Sequence, residues 1–343
     1  MRSLGNHDRH HHEEQSLTGA TLEERGPLGR VAPVIIPTCN RLQHFQNLVG
    51  SLQTCPLAEQ THLYIALDAP FSEAVVGENR RILQISEKLT GFAQVTIWKR
   101  ESNLGAVRNI TDAVDQVFQN HEKLIFLEDD NIVAKNFLLF MNQAMDTFAS
   151  DPRCFSVSGY QFMPRQNESP RADIYRSPFF TGWGAGLFRD RFTHAACLQG
   201  PRPTFFFLSP INLWRAYRLH PRLFSMYMEA WLQGKVYGDI VYRIHGLQNG
   251  LYTVFPTATK VINQGFDGSG LHCGVVEKPV HDLFEDEEQR QFDFSTNHEV
   301  DSYFQQANRR WFSGRRKVKL SHTLSLYWRY LTRVFGLRPS SRK

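Results

Sequence analysis

Leu124-Ile125-Phe126-Leu127-Glu128-Asp129-Asp130-Asn131 decides how this chain reads. Four apolar residues in a row fit a strand buried on both faces, as in a parallel sheet. Three carboxylates follow at its end, where open α/β sheets gather their ligands. Adjacent acids repel one another unless positive charge sits among them. A divalent cation with a phosphate-bearing ligand would supply that charge. The plainer reading is a helix N-cap, with Asp130 or Asn131 capping a helix that begins near Ile132. A cap needs one acid, not three, so the triplet points to a metal–phosphate site.

On the N-terminal side the pattern recurs. Residues 31–38 read as a buried strand, followed by Cys39-Asn40-Arg41 and a helical pattern (Leu42, Phe45, Leu48, Val49, Leu52) to about Gln53. Residues 63–67 form a second strand that stops at Asp68, and a helix over about 72–89 is closed by Gly91. Residues 95–98 form a third, after which Asn103 caps a helix with the apolar face Leu104, Val107, Ile110, Val114 and Val117. Beyond the acids a helix carries Phe137, Phe140, Met141, Ala144 and Phe148. Four strand–helix units predict an α/β fold, a mostly parallel twisted sheet with helices on both faces. Thr38, Asp68, Arg100 and the acid triplet then share one rim. They form a nucleotide-binding half over 31–150.

Past Asp151-Pro152 the grammar changes, in what reads as an acceptor half over 151–280. Residues 154–159 are a strand, 181–188 a glycine–aromatic strand or turn, 235–248 helical and 251–262 extended. Residues 201–232 are dense in aromatics, and 265–272 are glycine-rich. Residues 281–308 are acidic and poor in aliphatics, which suggests a linker or wrap-around segment. Residues 1–30 lack apolar periodicity and read as a disordered arm. His10, His11 and His12 there suit a flexible polar arm better than a metal site.

The 343 residues are 41% hydrophobic and 21% charged, enough for one large domain or two small ones. No apolar run is long enough to span a bilayer, and no apolar signal segment opens the chain, so the expected location is cytoplasmic. Cys39, Cys55, Cys154, Cys197 and Cys273 are scattered, odd in number and without CxxC spacing, so neither a zinc site nor a disulfide framework is indicated. Net charge is +5, yet 11 Lys or Arg and no acid lie between Arg309 and Lys343. The other 28 basic residues face 34 acidic ones, so a mildly acidic body carries a strongly basic tail over 309–343. Within it Leu320, Leu324, Tyr327, Trp328, Leu331, Val334 and Phe335 recur at helical spacing. A basic amphipathic helix of this kind suits an anionic membrane surface, where it would sit peripherally, or packing on the catalytic domain. No nucleic-acid motif accompanies it, so no nucleic-acid partner is expected.

The order of motifs resembles the glycosyltransferase A fold, and within it the inverting enzymes related to glycosyltransferase family 2. Ile35-Ile36-Pro37-Thr38-Cys39-Asn40-Arg41 is similar to the opening strand and nucleotide loop. Asn103-Leu104-Gly105-Ala106-Val107-Arg108-Asn109 resembles the N-x-G-x-x-x-R-N helix start. Glu128-Asp129-Asp130 stands at the D-x-D motif, in a form close to that of the N-acetylglucosaminyltransferase I group. Residues 263–272 resemble the late loop that closes over the diphosphate. The resemblance implies a nucleotide-sugar donor, with UDP favoured, bound by Thr38, Asn40, Arg41, Asp68, Asn103, Arg108, Glu128 and Asp129. It implies Mn²⁺ or Mg²⁺ held by Asp130 and His272, with Asp68 reading the base. An inverting transfer also needs a general base. Asp239 resembles it, a helix N-cap being the alternative, and Glu229 is the substitute. Trp183 suits sugar stacking or a core position. The acceptor implied is a saccharide or a lipid-linked glycan, as in surface glycan synthesis.

Other classes fare worse. No G-x-x-x-x-G-K-[ST] supports a P-loop NTPase, and the glycine-rich opening of sugar-nucleotide pyrophosphorylases is absent. The non-enzyme alternative is a catalytically silent sugar-nucleotide or membrane-binding scaffold of the same fold.

Overall fold

The computed structural model describes residues 30–163, 169–192, 205–235, 237–266, 284, 286–315 and 320–336. The N-terminal arm, His272 and the glycines after Phe266 lie outside the described residues. Strands β1 (Val34–Thr38), β2 (His62–Leu67), β3 (Gln94–Lys99) and β4 (Lys123–Phe126) are interleaved with α1 (Leu42–Gln53), α2 (Val76–Ser86) and α3 (Ala106–Phe118). The four strands lie parallel in the order β3-β2-β1-β4.

Successive strand residues point to opposite faces. Val34, Ile36, Ile65 and Ile125 join a core with Phe45 and Leu48 of α1 and with Phe140 and Met141 of α4 (Phe137–Thr147). Ile35, Ala66, Leu124 and Phe126 join a second core with Val114 and Val117 of α3. Both faces are covered, so these strands run apolar without alternation.

The second half is mixed. The acids lead into a short strand, β5 (Asn131–Val133), so the next helix starts at Phe137 and not near Ile132. β5 pairs antiparallel with β10 (Val261–Asn263), setting Asn131 opposite Asn263. β8 (Ala185–Phe188) lies antiparallel between β4 and β6 (Cys154–Ser158). β9 (Tyr252–Pro256) and β7 (Ile174–Ser177) complete the eight-stranded order β3-β2-β1-β4-β8-β6-β9-β7. Helices α5 (Pro210–Leu219), α6 (Leu223–Leu232) and α7 (Gly238–Asn249) build a third, aromatic-rich core.

The acidic segment expected to link or wrap is packed onto this body. Asn136 Nδ2 donates to the carbonyls of Asp286 at 2.7 Å and Gln289 at 3.1 Å. The Phe292 ring sits edge-on to Phe140 with centroids 5.1 Å apart. Helix α8 (His298–Arg315) contributes Phe304 to the core, and its buried Asp301 pairs with Arg176 of β7 at 2.9 Å. Aromatics supply here the burial that missing aliphatics had seemed to exclude.

Helix α9 (Leu320–Val334) packs on α6, with Leu326 and Tyr330 buried in the third core. Neither residue belongs to the stripe read from the sequence. Of that stripe, Tyr327, Leu331 and Val334 are partly covered, whereas Leu324, Trp328 and Phe335 face solvent. No described helix is long and apolar enough to cross a membrane.

Candidate active site

The acid triplet sits where β4 ends, and its three carboxylates go to different partners. Asp129 accepts from Thr38 Oγ1 at 2.9 Å and is paired with the Arg41 guanidinium. Asp130 Oδ2 accepts from Arg41 Nη1 at 2.7 Å, and its Oδ1 from Asn263 Nδ2 at 2.9 Å and Asn131 Nδ2 at 3.2 Å. Arg41 thus bridges the two aspartates from the start of α1. Burial alone would lower its pKa, but the two carboxylates reverse this and raise it. Burial raises the pKa of Asp129, with Arg41 and Thr38 opposing. The chain turns against Asp130 at Gly265, where a Cβ would lie 2.2 Å from Oδ2, so any side chain there would push the carboxylate aside.

Glu128 turns away from this pair. It accepts from Trp183 Nε1 at 3.1 Å and faces Asp239 across Gly182. A Cβ on Gly182 would lie 3.5 Å from Glu128 Oε1 and 3.7 Å from Asp239 Oδ1, so the two acids flank this residue at ordinary contact distance. Asp239 opens α7, accepts from Gly182 N at 3.2 Å and pairs with Arg243 Nη2 at 3.2 Å one turn on. Its side chain remains 40% exposed, in a concave recess with protein on most sides. That surrounding mass raises the pKa of Asp239, with Arg243 opposing. Burial, then the charges of Asp130 and Asp239, push Glu128 well above the usual carboxylate range. Arg243 is buried and lowered to about 10 by desolvation, with Asp239 opposing. It donates to the Phe180 carbonyl at 2.9 Å and stacks on Phe179 at 3.8 Å, so it is fixed in place.

A cavity of about 150 Å³ opens beside the two acids. Its walls are largely apolar, including Val107, Ile110, Phe126 and Leu187, with Glu128 and Asp239 as its charged lining.

Asp68 is buried at the end of β2, but its acceptor sites are filled. Oδ1 accepts from Ala69 N at 3.0 Å and Leu104 N at 2.9 Å. Oδ2 accepts from Gly105 N at 2.9 Å and Asn103 Nδ2 at 3.2 Å. An ionised carboxylate has about four lone-pair sites, so none is left for a nucleobase N–H. Asp68 is a clasp on the loop before α3. Asn103 is not the cap of that helix: Gly105 holds the N-cap position, and the Asn103 amide also donates to the Ala69 carbonyl at 2.6 Å. Asn40 lies half-buried in the β1–α1 turn, and Arg108 is exposed in the first turn of α3. Arg100 Nε donates to Asn109 Oδ1 at 3.0 Å, while its buried Nη2 has no partner among the described residues.

Glu229 does not reach the recess. It lies on α6, accepts from His322 Nε2 of α9 at 2.9 Å and lines no part of the cavity. His272 lies outside the described residues. Trp183 is partly exposed and packs against the first core, edge-on to Tyr160 with centroids 4.7 Å apart, while its Nε1 donates to Glu128. Sequence reasoning missed Arg243 and Asn263 as site residues. The four-residue helical spacing of Asp239 and Arg243 was the available signal for the first. Asn263 becomes a partner only through the β5–β10 register.

Among the described residues no three His, Cys, Asp or Glu side chains form a metal-ligand cluster. Asp130 still offers hard oxygen chemistry that suits Mg²⁺ or Mn²⁺, whose remaining positions phosphates and water commonly fill. The donor chemistry therefore fits such an ion, with Arg41 holding the same charge-neutralising position in this structure.

No curated protein matches the chain. Among solved structures it is similar to the mannosyltransferase PcManGT from Pyrobaculum calidifontis in complex with GDP-Man and Mn²⁺. That match has 13% identity and a TM-score of 0.35, over 63% of this chain and 68% of that one. S. aureus TarS is matched at 13% identity and a TM-score of 0.34, over 90% of this chain but only 44% of that one. The GNT-I family's sequence model matches residues 8–196, a span that carries β1, the α3 start and the whole acid triplet. That span exceeds half of the chain, and a rim of buried carboxylates at the end of β4 agrees with it: this protein belongs to the GNT-I family and is a glycosyltransferase.

Proposed function

We propose that the chain is an inverting glycosyltransferase, taking a sugar from a nucleotide-diphosphate donor to an acceptor hydroxyl. The observation that carries this reading is the pairing of Glu128 and Asp239 across Gly182, at the mouth of one recess. Asp239 is the base: it is accessible, and a raised pKa makes it a better proton acceptor than an ordinary aspartate. As the acceptor oxygen bonds to the anomeric carbon, its proton passes to Asp239. The bond from that carbon to the β-phosphate oxygen breaks on the opposite face, and the electron pair leaves with the diphosphate. Arg41 and the amides opening α3 offer positive charge to the phosphates. Glu128, which accepts from Trp183 Nε1, hydrogen-bonds the donor sugar in this reading. Asp130 would hold Mn²⁺ or Mg²⁺, which when bound neutralises charge on the leaving group.

UDP is favoured as the nucleotide by the resemblance to the N-acetylglucosaminyltransferase I group, since Asp68 has no acceptor site left to read the base. The acceptor would be a saccharide or a lipid-linked glycan. Two measurements test the reading. In a thermal-shift screen, UDP with Mn²⁺ should raise the melting temperature more than GDP or dTDP, and Asp130→Ala should abolish the metal dependence. Asp130→Ala should also lower transfer or donor hydrolysis by at least about a hundredfold. Asp239→Asn should keep nucleotide binding and lose about a hundredfold or more of the acceptor-dependent rate. Near-normal turnover in Asp239→Asn would remove it as the base.

A further inference from the structure

Helix α9 carries two faces with different tasks. One side buries Leu326, 3% exposed, and Tyr330, 0% exposed, against α6. The other shoulder shows Leu324 at 59%, Trp328 at 64% and Phe335 at 59% exposure, with Leu331 between them partly covered. Spacings of four, three and four place these residues on one line along the helix. Tyr327, next to Trp328, donates to the Phe207 carbonyl at 3.4 Å. Two residues from that contact, Phe205 is 76% exposed, the most exposed large apolar side chain described. Arg329 is exposed on the same helix, and Arg310 on α8. From Arg309 to Lys343 the sequence has 11 basic residues and no acid.

We propose that α9 docks this protein on an anionic lipid bilayer. Leu324, Trp328 and Phe335 enter the headgroup boundary, while Arg329 on the same helix and the other cations of this basic segment meet lipid phosphates. Charge selects this occupant over a second copy of the chain. A two-fold self-contact through this helix would set one cationic segment against another, whereas an anionic surface accepts both the apolar line and the cations. The packing on α6 is part of the device. Leu326 and Tyr330 anchor the helix to the enzyme, so the outward residues are presented without folding on the lipid. The proposal does not depend on the donor or on the catalytic roles given to Asp239 and Asp130.

The test uses the full chain and vesicle co-sedimentation, with phosphatidylcholine vesicles and with vesicles also containing phosphatidylglycerol. The wild type should bind only the anionic vesicles, and release at about 1 M salt, where screening acts within ~3 Å. The triple variant Leu324→Ser/Trp328→Ser/Phe335→Ser should bind at least about tenfold more weakly, with an unchanged melting temperature because these side chains are already exposed. Should the triple variant fold poorly, Trp328→Ser alone and Arg329→Gln alone probe the same helix, each expected to weaken binding severalfold. Three outcomes overturn the proposal. They are no binding of the wild type to anionic vesicles, unchanged binding of the folded variants, and a concentration-dependent dimer that the triple variant abolishes while vesicles bind neither form.

Discussion

Glu128 is the residue at which charge costs the fold most visibly. Desolvation raises its pKa, and Asp130 and Asp239 raise it further. A carboxyl with a raised folded-state pKa binds its proton more tightly in the native state. Its contribution to stability is then present at low pH and lost as pH rises through the folded-state pKa. At neutral pH Glu128 therefore lowers stability relative to an unshifted carboxyl. Glu128→Gln keeps an oxygen for Trp183 Nε1 and removes the charge. In metal-free buffer this variant should melt higher than the wild type at pH 7, with the gain shrinking toward pH 4. Its turnover should fall at least about tenfold, because the amide cannot accept as strongly from the donor sugar. Melting curves across pH and a rate measurement check both halves. A variant that melts lower at pH 7 contradicts this account. Asp239 gives the matching kinetic expectation: its raised pKa places the acid limb of the rate profile above the ordinary aspartate value of 3.8.

At the scale of elements, the loop that opens α3 is held by one side chain from another strand. Asp68 at the end of β2 collects the amides of Leu104 and Gly105 and the side chain of Asn103. This orders the start of α3 where the chain takes a positive φ at Gly105. Asp68→Ala leaves these donors without acceptors and should cost at least about 2 kcal/mol in urea unfolding. Nucleotide affinity should fall with it, for all bases alike, because the loop and not the base is disturbed. A variant of normal stability that loses only uridine selectivity would restore a base-reading role.

At the scale of the molecule, the C-terminal third is built into the fold. Asp301 of α8 clamps Arg176 of β7, and Tyr330 of α9 is fully buried against α6. Removing residues after about 315 should therefore lower the melting temperature by exposing Phe207, Met228 and their neighbours. This differs from the outcome expected of an independent amphipathic tail. Tyr330→Ala isolates the effect and should cost about 3–5 kcal/mol, the range for a large buried aromatic. Chemical denaturation of both variants checks it, and unchanged stability would show that α9 is not part of the cooperative core.

The sequence alone determined the parallel half of the sheet, because unbroken apolar runs such as residues 124–127 suit a strand covered on both faces and little else. It also placed Thr38, Asp68 and the acid triplet at strand ends, since alternation of strand and helix dictates which ends share a rim. Partnership was decided only in three dimensions. Asp68 looks as available as Asp130 in one dimension, yet four donors fill it, the adjacent Ala69 amide and three from the loop at 103–105 that folds back over β2. Glu128 meets Asp239 only because β8 inserts antiparallel beside β4 and brings Gly182 between them. The stripe on α9 was legible as helical, but its inward side was not. Leu326 and Tyr330 are buried because α6 lies against that side, and a periodic pattern cannot say where its neighbour will be.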